Sequence, residues 1–124
     1  MDEFIIGVDF DGTIVKNDYP GIGKLKSGVF FILPLLWMMK FTIILWTCRE
    51  GELLREATDF CHIHGINLDY VNRNSPKRIE TYGGDCRKLS CDLLVDDTAG
   101  VVNWYWVFIK ALFLRWKKNI RREN

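Results

Sequence analysis

The stretch Phe4-Ile5-Ile6-Gly7-Val8-Asp9-Phe10-Asp11-Gly12-Thr13 decides how this chain is read. Its first five residues are apolar or small, as in a strand buried on both faces. Asp9 and Asp11 follow where that strand ends, and Gly12 lets the backbone turn sharply and approach a ligand closely. The C-terminal end of a parallel strand is where open α/β sheets bind ligands. Two carboxylates placed there offer the hard oxygens that Mg²⁺ takes. One of them can attack phosphorus while the other passes a proton to the leaving group. Taken alone, Asp-Gly also reads as an ordinary turn after a strand.

Working outward, strand and helix patterns alternate. Residues 3–9 form the first strand, and 12–26 a loop with a small β-turn excursion. A helix is predicted from Ser27, as its N-cap, to Met39. Phe41 to Trp46 reads as a second strand, rich in β-formers. From Gly51 to His64, the residues Leu53, Leu54, Ala57, Phe60, Cys61 and His64 fall on one helical face, and Gly65 is a good terminator. Ile66 to Val71 is a third strand. Residues 72–88 are polar and irregular, with room for a short helix near Lys77 to Thr81. Leu89 to Val95 runs into Asp96-Asp97 as a fourth strand, and Val101 to Lys117 is a very apolar last helix. This alternation predicts a Rossmann-like α/β domain with a parallel sheet of four to five strands and right-handed crossovers.

Size and charge agree with one domain over 1–124. A chain of 124 residues buries roughly two-thirds of its unfolded surface. With 48% hydrophobic and 14% aromatic residues, disorder is excluded. The net charge of +1 hides a basic C-terminal helix end or tail at 110–124, which holds Lys110, Arg115, Lys117, Lys118, Arg121 and Arg122 against the single acid Glu123. Such an end suits the helix dipole or an anionic partner. Cys48, Cys61, Cys86 and Cys91 form no CxxC pair, and no secretory signal precedes the first strand. Reduced thiols in a cytoplasmic protein are expected. The apolar run at 29–46 approaches the length of a membrane span, but Pro34 and Lys40 interrupt it, and it is read as a buried helix followed by a buried strand.

In a parallel sheet the strand ends meet on one edge, which gathers Asp9, Asp11, Thr47, Asp96 and Asp97. The Thr47 hydroxyl and the backbone of the Cys48–Arg49 turn can bind phosphate oxygens, and Arg49 can do so bidentately. Thr47 as a helix cap and Arg49 as an exposed helix-start residue are the bland alternatives. Lys88, eight residues before Asp96, can neutralise nucleophile and phosphate together, and Lys77 competes with it for that place. The histidines of Cys61-His62-Ile63-His64 diverge on a helix and are expected to pack rather than bind metal.

DFDGT at 9–13, ILWT at 44–47, Lys88 and LLVDD at 93–97 resemble, in order and spacing, the four motifs of the haloacid dehalogenase (HAD) superfamily of phosphohydrolases. DYPGIG at 18–23 and WTCREGELL at 46–54 are similar to its small, capless bacterial and phage members. The resemblance implies Asp9 as a nucleophile forming an aspartyl-phosphate and Asp11 as the general acid and base. It implies Mg²⁺ held by Asp9, the backbone carbonyl of Asp11, and Asp96 or Asp97. Thr47 would bind the phosphoryl group, and Lys88 would be the motif-three lysine.

Two features depart from a lone domain of this kind. No segment is long enough for a cap, so the site is expected to be open to a phosphorylated small molecule or a polymer end. The first and last helices are apolar nearly all round, which points to a homo-oligomer interface or, less readily, a peripheral membrane contact. Two further readings stand beside a phosphomonoester hydrolase. One is a phosphatase acting on nucleic-acid ends. The other is a non-catalytic module that binds a phosphoryl group or partner.

Overall fold

A computed structural model describes residues 3–82, 89–98 and 100–123. Its elements run β1 (Ile5–Val8), α1 (Val29–Met38), β2 (Thr42–Leu45), α2 (Gly51–Ile63), β3 (Tyr70–Val71), α3 (Pro76–Tyr82), β4 (Leu93–Val95) and α4 (Trp104–Glu123). The four strands form one parallel sheet, ordered β3-β2-β1-β4 and flanked by helices. The strands step outward from β1 to β3, then the chain returns to place β4 on the other side of β1. Strand order thus reverses between β1 and β4, and the crevice at such a reversal is the usual ligand site of an open α/β sheet.

The central strands are apolar because they are covered on both faces: Ile5, Ile6, Val8, Ile43, Ile44 and Leu45 are all fully buried. Around them, α1 contributes Val29, Ile32, Leu33 and Leu36, α2 contributes Ala57 and Cys61, and α4 contributes Trp104, Val107 and Ala111 to one core. Within α4 the Trp104 indole N–H donates to the buried Thr13 carbonyl at 2.9 Å, so the last helix is pinned to the turn after β1.

Several expected boundaries shift for identifiable reasons. Ser27 is not the cap of α1; Gly28 takes that place in a left-handed conformation (φ 87) with no side-chain cap. A side chain would be strained at this φ, and its Cβ would lie 3.1 Å from the Tyr105 ring, so glycine is favoured. β3 is two residues long, not six, because the Asp69 carboxylate accepts from Ile43 N–H at 2.7 Å where a longer ladder would run. Likewise β4 begins at Leu93 rather than Leu89, and the Asp92 carboxylate takes the Ile5 N–H at 2.8 Å. Of the two readings of the basic end, helix end or tail, the structure shows the helix: α4 runs past the expected Lys117 through Glu123. Its Arg115 turns back to donate to Met39 O, and Lys118 donates to Glu3 O and Asp92.

Three further expectations about local structure hold. The run at 29–46 divides into α1 and β2, and among the described residues no helix is long and apolar enough to cross a membrane. Residues 14–16 and 24–26 pair briefly as an antiparallel excursion, through Lys16 N–H to Lys24 O and Lys26 N–H to Ile14 O. Gly65 ends α2 with φ 73.

Asp92 joins three elements. Besides the start of β1, it receives Arg78 of α3 at 2.8 Å and Lys118 of α4 at 3.0 Å. Replacing a part-buried acceptor of this kind leaves two cations and an amide without their partner. Asp92→Ala is expected to lose about 2–4 kcal/mol in urea unfolding. A loss below about 0.5 kcal/mol, the level of an ordinary surface change, would show that the three contacts are not cooperative.

Candidate active site

The ends of β1, β2 and β4 are held level by backbone bonds that continue beyond the strands. Asp9 N–H donates to Val95 O at 3.0 Å, and Trp46 N–H donates to Val8 O at 2.8 Å. This brings Asp9 and Asp11, Thr47, and Asp96 and Asp97 to one edge of the sheet, as the sequence implied. The chain then turns back on itself: Thr13 and Ile14 N–H both donate to Phe10 O, and Gly12 adopts φ 82. A Cβ on Gly12 would fall 2.2 Å from Asp97 Oδ2. Glycine is therefore required twice, for its conformation and because the Asp97 carboxylate lies against it.

The two carboxylates of the pair have different surroundings. Asp11 is clamped by Arg49, which donates from Nε to Oδ2 at 2.8 Å and from Nη2 to Oδ1 at 2.7 Å. The other Arg49 donors reach Gly21 O, Pro20 O and Leu53 O. All five N–H groups of the guanidinium thus face protein acceptors, and the residue is 1% exposed. Phe10 and Tyr19 lie over it, with ring centroids 5.1 and 5.2 Å from Cζ. The bond to Asp11 raises the Arg49 pKa still further. Sequence reasoning leaves Arg49 between a ligand of substrate phosphate and an exposed helix-start residue. The structure shows neither: the side chain is buried at the wall of the cleft with every donor engaged by protein acceptors.

Asp9, by contrast, has no cation partnered with it among the described residues. Among the described residues its Oδ1 accepts one hydrogen bond, from the Phe10 N–H at 2.8 Å. Burial raises its pKa above the ordinary 3.8; the Phe10 bond opposes this, while the charges of Asp97, Asp11 and Asp96 push it up further. Asp96 closes its own turn, accepting from Thr98 N–H at 3.2 Å.

Thr47 stands at the end of β2. Its hydroxyl accepts from Arg49 N–H at 3.2 Å, and its own N–H donates to Asn72 Oδ1 at 2.7 Å. It therefore acts as a turn cap, and its hydroxyl hydrogen remains available to a ligand. Asn72, in a left-handed conformation (φ 52), was not singled out from sequence. The only signal was an Asn directly after a strand, a residue type that tolerates this geometry. An open cleft of about 330 Å³ lies above these groups, lined by Asp9, Asp11, Thr47, Cys48 and Arg49, with Asn17 and Tyr19 from the loop.

Lys88 lies outside the described residues. Lys77 is an exposed residue of α3. His64 stacks on Phe60 with ring centroids 4.1 Å apart, the packing role expected of it. Cys48 is exposed on the rim of the cleft, whereas the Cys61 thiol is pushed up to about 12 by burial.

The raised pKa of Asp9 has a definite consequence for stability. The folded state binds the proton more tightly than the unfolded chain, so stability falls as pH rises from below 3.8 through the raised folded value. Asn in its place keeps the acceptor for Phe10 and removes the charge. Asp9→Asn is expected to raise Tm at neutral pH in metal-free buffer and to change it little below pH 3.8. An equal effect at both pH values would mean that charge is not the cause.

No protein-family model matches the chain, and no curated protein matches it. A solved structure of a conserved protein from Bacteroides thetaiotaomicron does. It is 39% identical, with a TM-score of 0.76, over 86% of this chain and 88% of that one. With that identity over nearly the whole of both chains, this chain belongs to the family of that conserved Bacteroides protein.

Proposed function

We propose that this protein is a Mg²⁺-dependent phosphomonoester hydrolase that works through an aspartyl-phosphate on Asp9. One observation carries the reading. Of two carboxylates at the end of β1, one is clamped by a buried arginine while the other lines an open cleft and, among the described residues, has no cation partner. A structural role would explain the first and leave the second without a purpose.

In the first step an Asp9 oxygen bonds to phosphorus, and the bond from phosphorus to the leaving oxygen breaks. Asp11 delivers a proton to that oxygen. In the second step a water, losing its proton to Asp11, attacks the same phosphorus, and the bond to Asp9 breaks. Inorganic phosphate leaves and Asp9 is regenerated. Arg49 occupies one lone pair on each Asp11 oxygen and leaves another on each for proton transfer. Thr47 would hold a phosphoryl oxygen, aided by the backbone at Cys48. Lys88 keeps in this reading the charge-neutralising role that the motif resemblance gives it.

The donor chemistry suits Mg²⁺, which takes one or two carboxylates and keeps several waters. Among the described residues no three His, Cys, Asp or Glu side chains close into a metal cluster. A site with so few protein carboxylates does not require one. Asp9, the Asp11 carbonyl, and Asp97 or Asp96 would hold the ion. The acids that crowd Asp9 are the mark of a site built around positive charge. When bound, Mg²⁺ would offset the negative charge that develops at the phosphoryl group.

The open cleft admits either a phosphorylated small molecule or a polymer end. The test is hydrolysis of an aryl phosphate and of a 5′-phosphorylated oligonucleotide, with and without Mg²⁺. Turnover that needs Mg²⁺ and falls by roughly 10³-fold or more in Asp9→Asn is expected. Turnover unchanged in that variant removes Asp9 from the mechanism. No turnover on either substrate by folded wild-type protein favours a phosphoryl-binding module.

A further inference from the structure

The geometry points to a second function on the opposite side of α1 and α4: this face docks on an anionic phospholipid surface. The two helices run side by side in the same direction. Gly28, at the start of α1, lies against Tyr105 near the start of α4, and Arg115 of α4 donates to Met39 O just beyond the end of α1. Both bury one side in the core and turn another outward. On α4 that outer side carries Trp106, Ile109, Phe113 and Trp116, each more than half exposed. On α1 it carries Phe31 and Met38, which is 70% exposed. A surface helix of an ordinary domain is polar there, and an apolar exposed side on each of two neighbouring helices marks an interaction site.

The charges beside the face select its partner. Lys110, Lys117 and Arg121 fall along one flank of the α4 stripe, and all three are exposed. The α1 sequence has no acid, and α4 has only its last residue, Glu123. Among the described residues, the acids that touch these helices are already engaged: Asp69 with Trp37 and Ile43, Asp92 with Arg78 and Lys118, and Glu3 with Ser75. Aromatic and aliphatic side chains flanked by cations match the boundary between acyl chains and anionic headgroups. No described helix can cross a bilayer, so the contact is one of lying on the surface.

A second copy is the competing occupant, because Trp106, Ile109, Phe113, Trp116 and Ile120 follow the 3-4-3-4 spacing of a coiled-coil seam. Its flanks argue against pairing. Antiparallel copies would set Lys110 and Lys117 against the same lysines of the partner. Parallel copies would set them against Tyr105, Leu112 and Asn119, which carry no charge.

The test is co-sedimentation of the full chain with phosphatidylcholine vesicles, with and without phosphatidylglycerol, alongside analytical ultracentrifugation without lipid. Binding is expected only to the anionic vesicles, and it should weaken as salt is added. Phe113→Glu with Trp116→Glu should abolish binding while circular dichroism shows an unchanged fold. Lys110→Gln with Lys117→Gln should weaken it roughly thirtyfold, at about 1 kcal/mol for each lysine. No sedimentation with anionic vesicles overturns the inference. So does a dimer that Phe113→Glu dissociates, in protein with no affinity for the vesicles. Equal binding to neutral vesicles overturns the charge argument and with it the assigned partner.

Discussion

The candidate site depends on one buried ion pair, that between Asp11 and Arg49. A guanidinium removed from water is costly unless all its donors and its charge are matched. Here both conditions are met while Asp11 is ionised, and the charge goes unmatched only for as long as Asp11 carries a proton in transfer. Asp11 takes two of the donors, and three backbone carbonyls take the others. The acceptors come from the turn after β1, the loop at 20–21 and the first turns of α2. Satisfying one arginine therefore fixes three segments that are remote in sequence. Phe10 supports it from the core and is itself set edge-on against Phe60 of α2.

That arrangement separates the two carboxylates of a short motif into different environments. Asp11 receives the arginine; among the described residues Asp9 receives one backbone N–H and the repulsion of three neighbouring acids. Two titratable groups with divergent surroundings are a common basis for assigning a nucleophile and a proton-transfer residue. The position of the sheet reversal adds to this. Asp9 ends β1 and Asp96-Asp97 follow β4, so the acids flank the crevice where strand order changes direction. The site is thus a consequence of topology as much as of any motif.

Much of this was legible in the sequence. Apolar runs of strand length, each ending in polar residues, were enough to give the α/β class, the parallel sheet and the edge where Asp9, Asp11, Thr47, Asp96 and Asp97 meet. The direction of Arg49 was not legible, because its partner lies 38 residues earlier and local spacing cannot distinguish a buried clamp from a phosphate ligand. Asp69 and Asp92 read as polar members of strands. In the fold their carboxylates take backbone amides in place of ladder partners, and the strands shorten accordingly. The basic end of the chain read as a solvated terminus for a similar reason. Arg115 lies over the Phe41 ring at 3.9 Å, and Lys118 reaches Asp92, contacts that hydrophobic periodicity does not encode. Gly28 displaced Ser27 as the cap because Tyr105, from the far end of the chain, fills the space beside it.

The central claim is that Asp9 accepts the phosphoryl group, and chemical capture of the intermediate tests it most directly. An acyl phosphate is reduced by borohydride to the alcohol, which converts a phosphorylated aspartate to homoserine. The protein would be mixed with an aryl phosphate and Mg²⁺, quenched with borohydride during turnover, and mapped by peptide mass spectrometry. Homoserine at position 9, absent when Mg²⁺ or substrate is omitted, is the predicted result. Turnover with Asp9 recovered unmodified, or with homoserine at position 11 instead, would contradict the account.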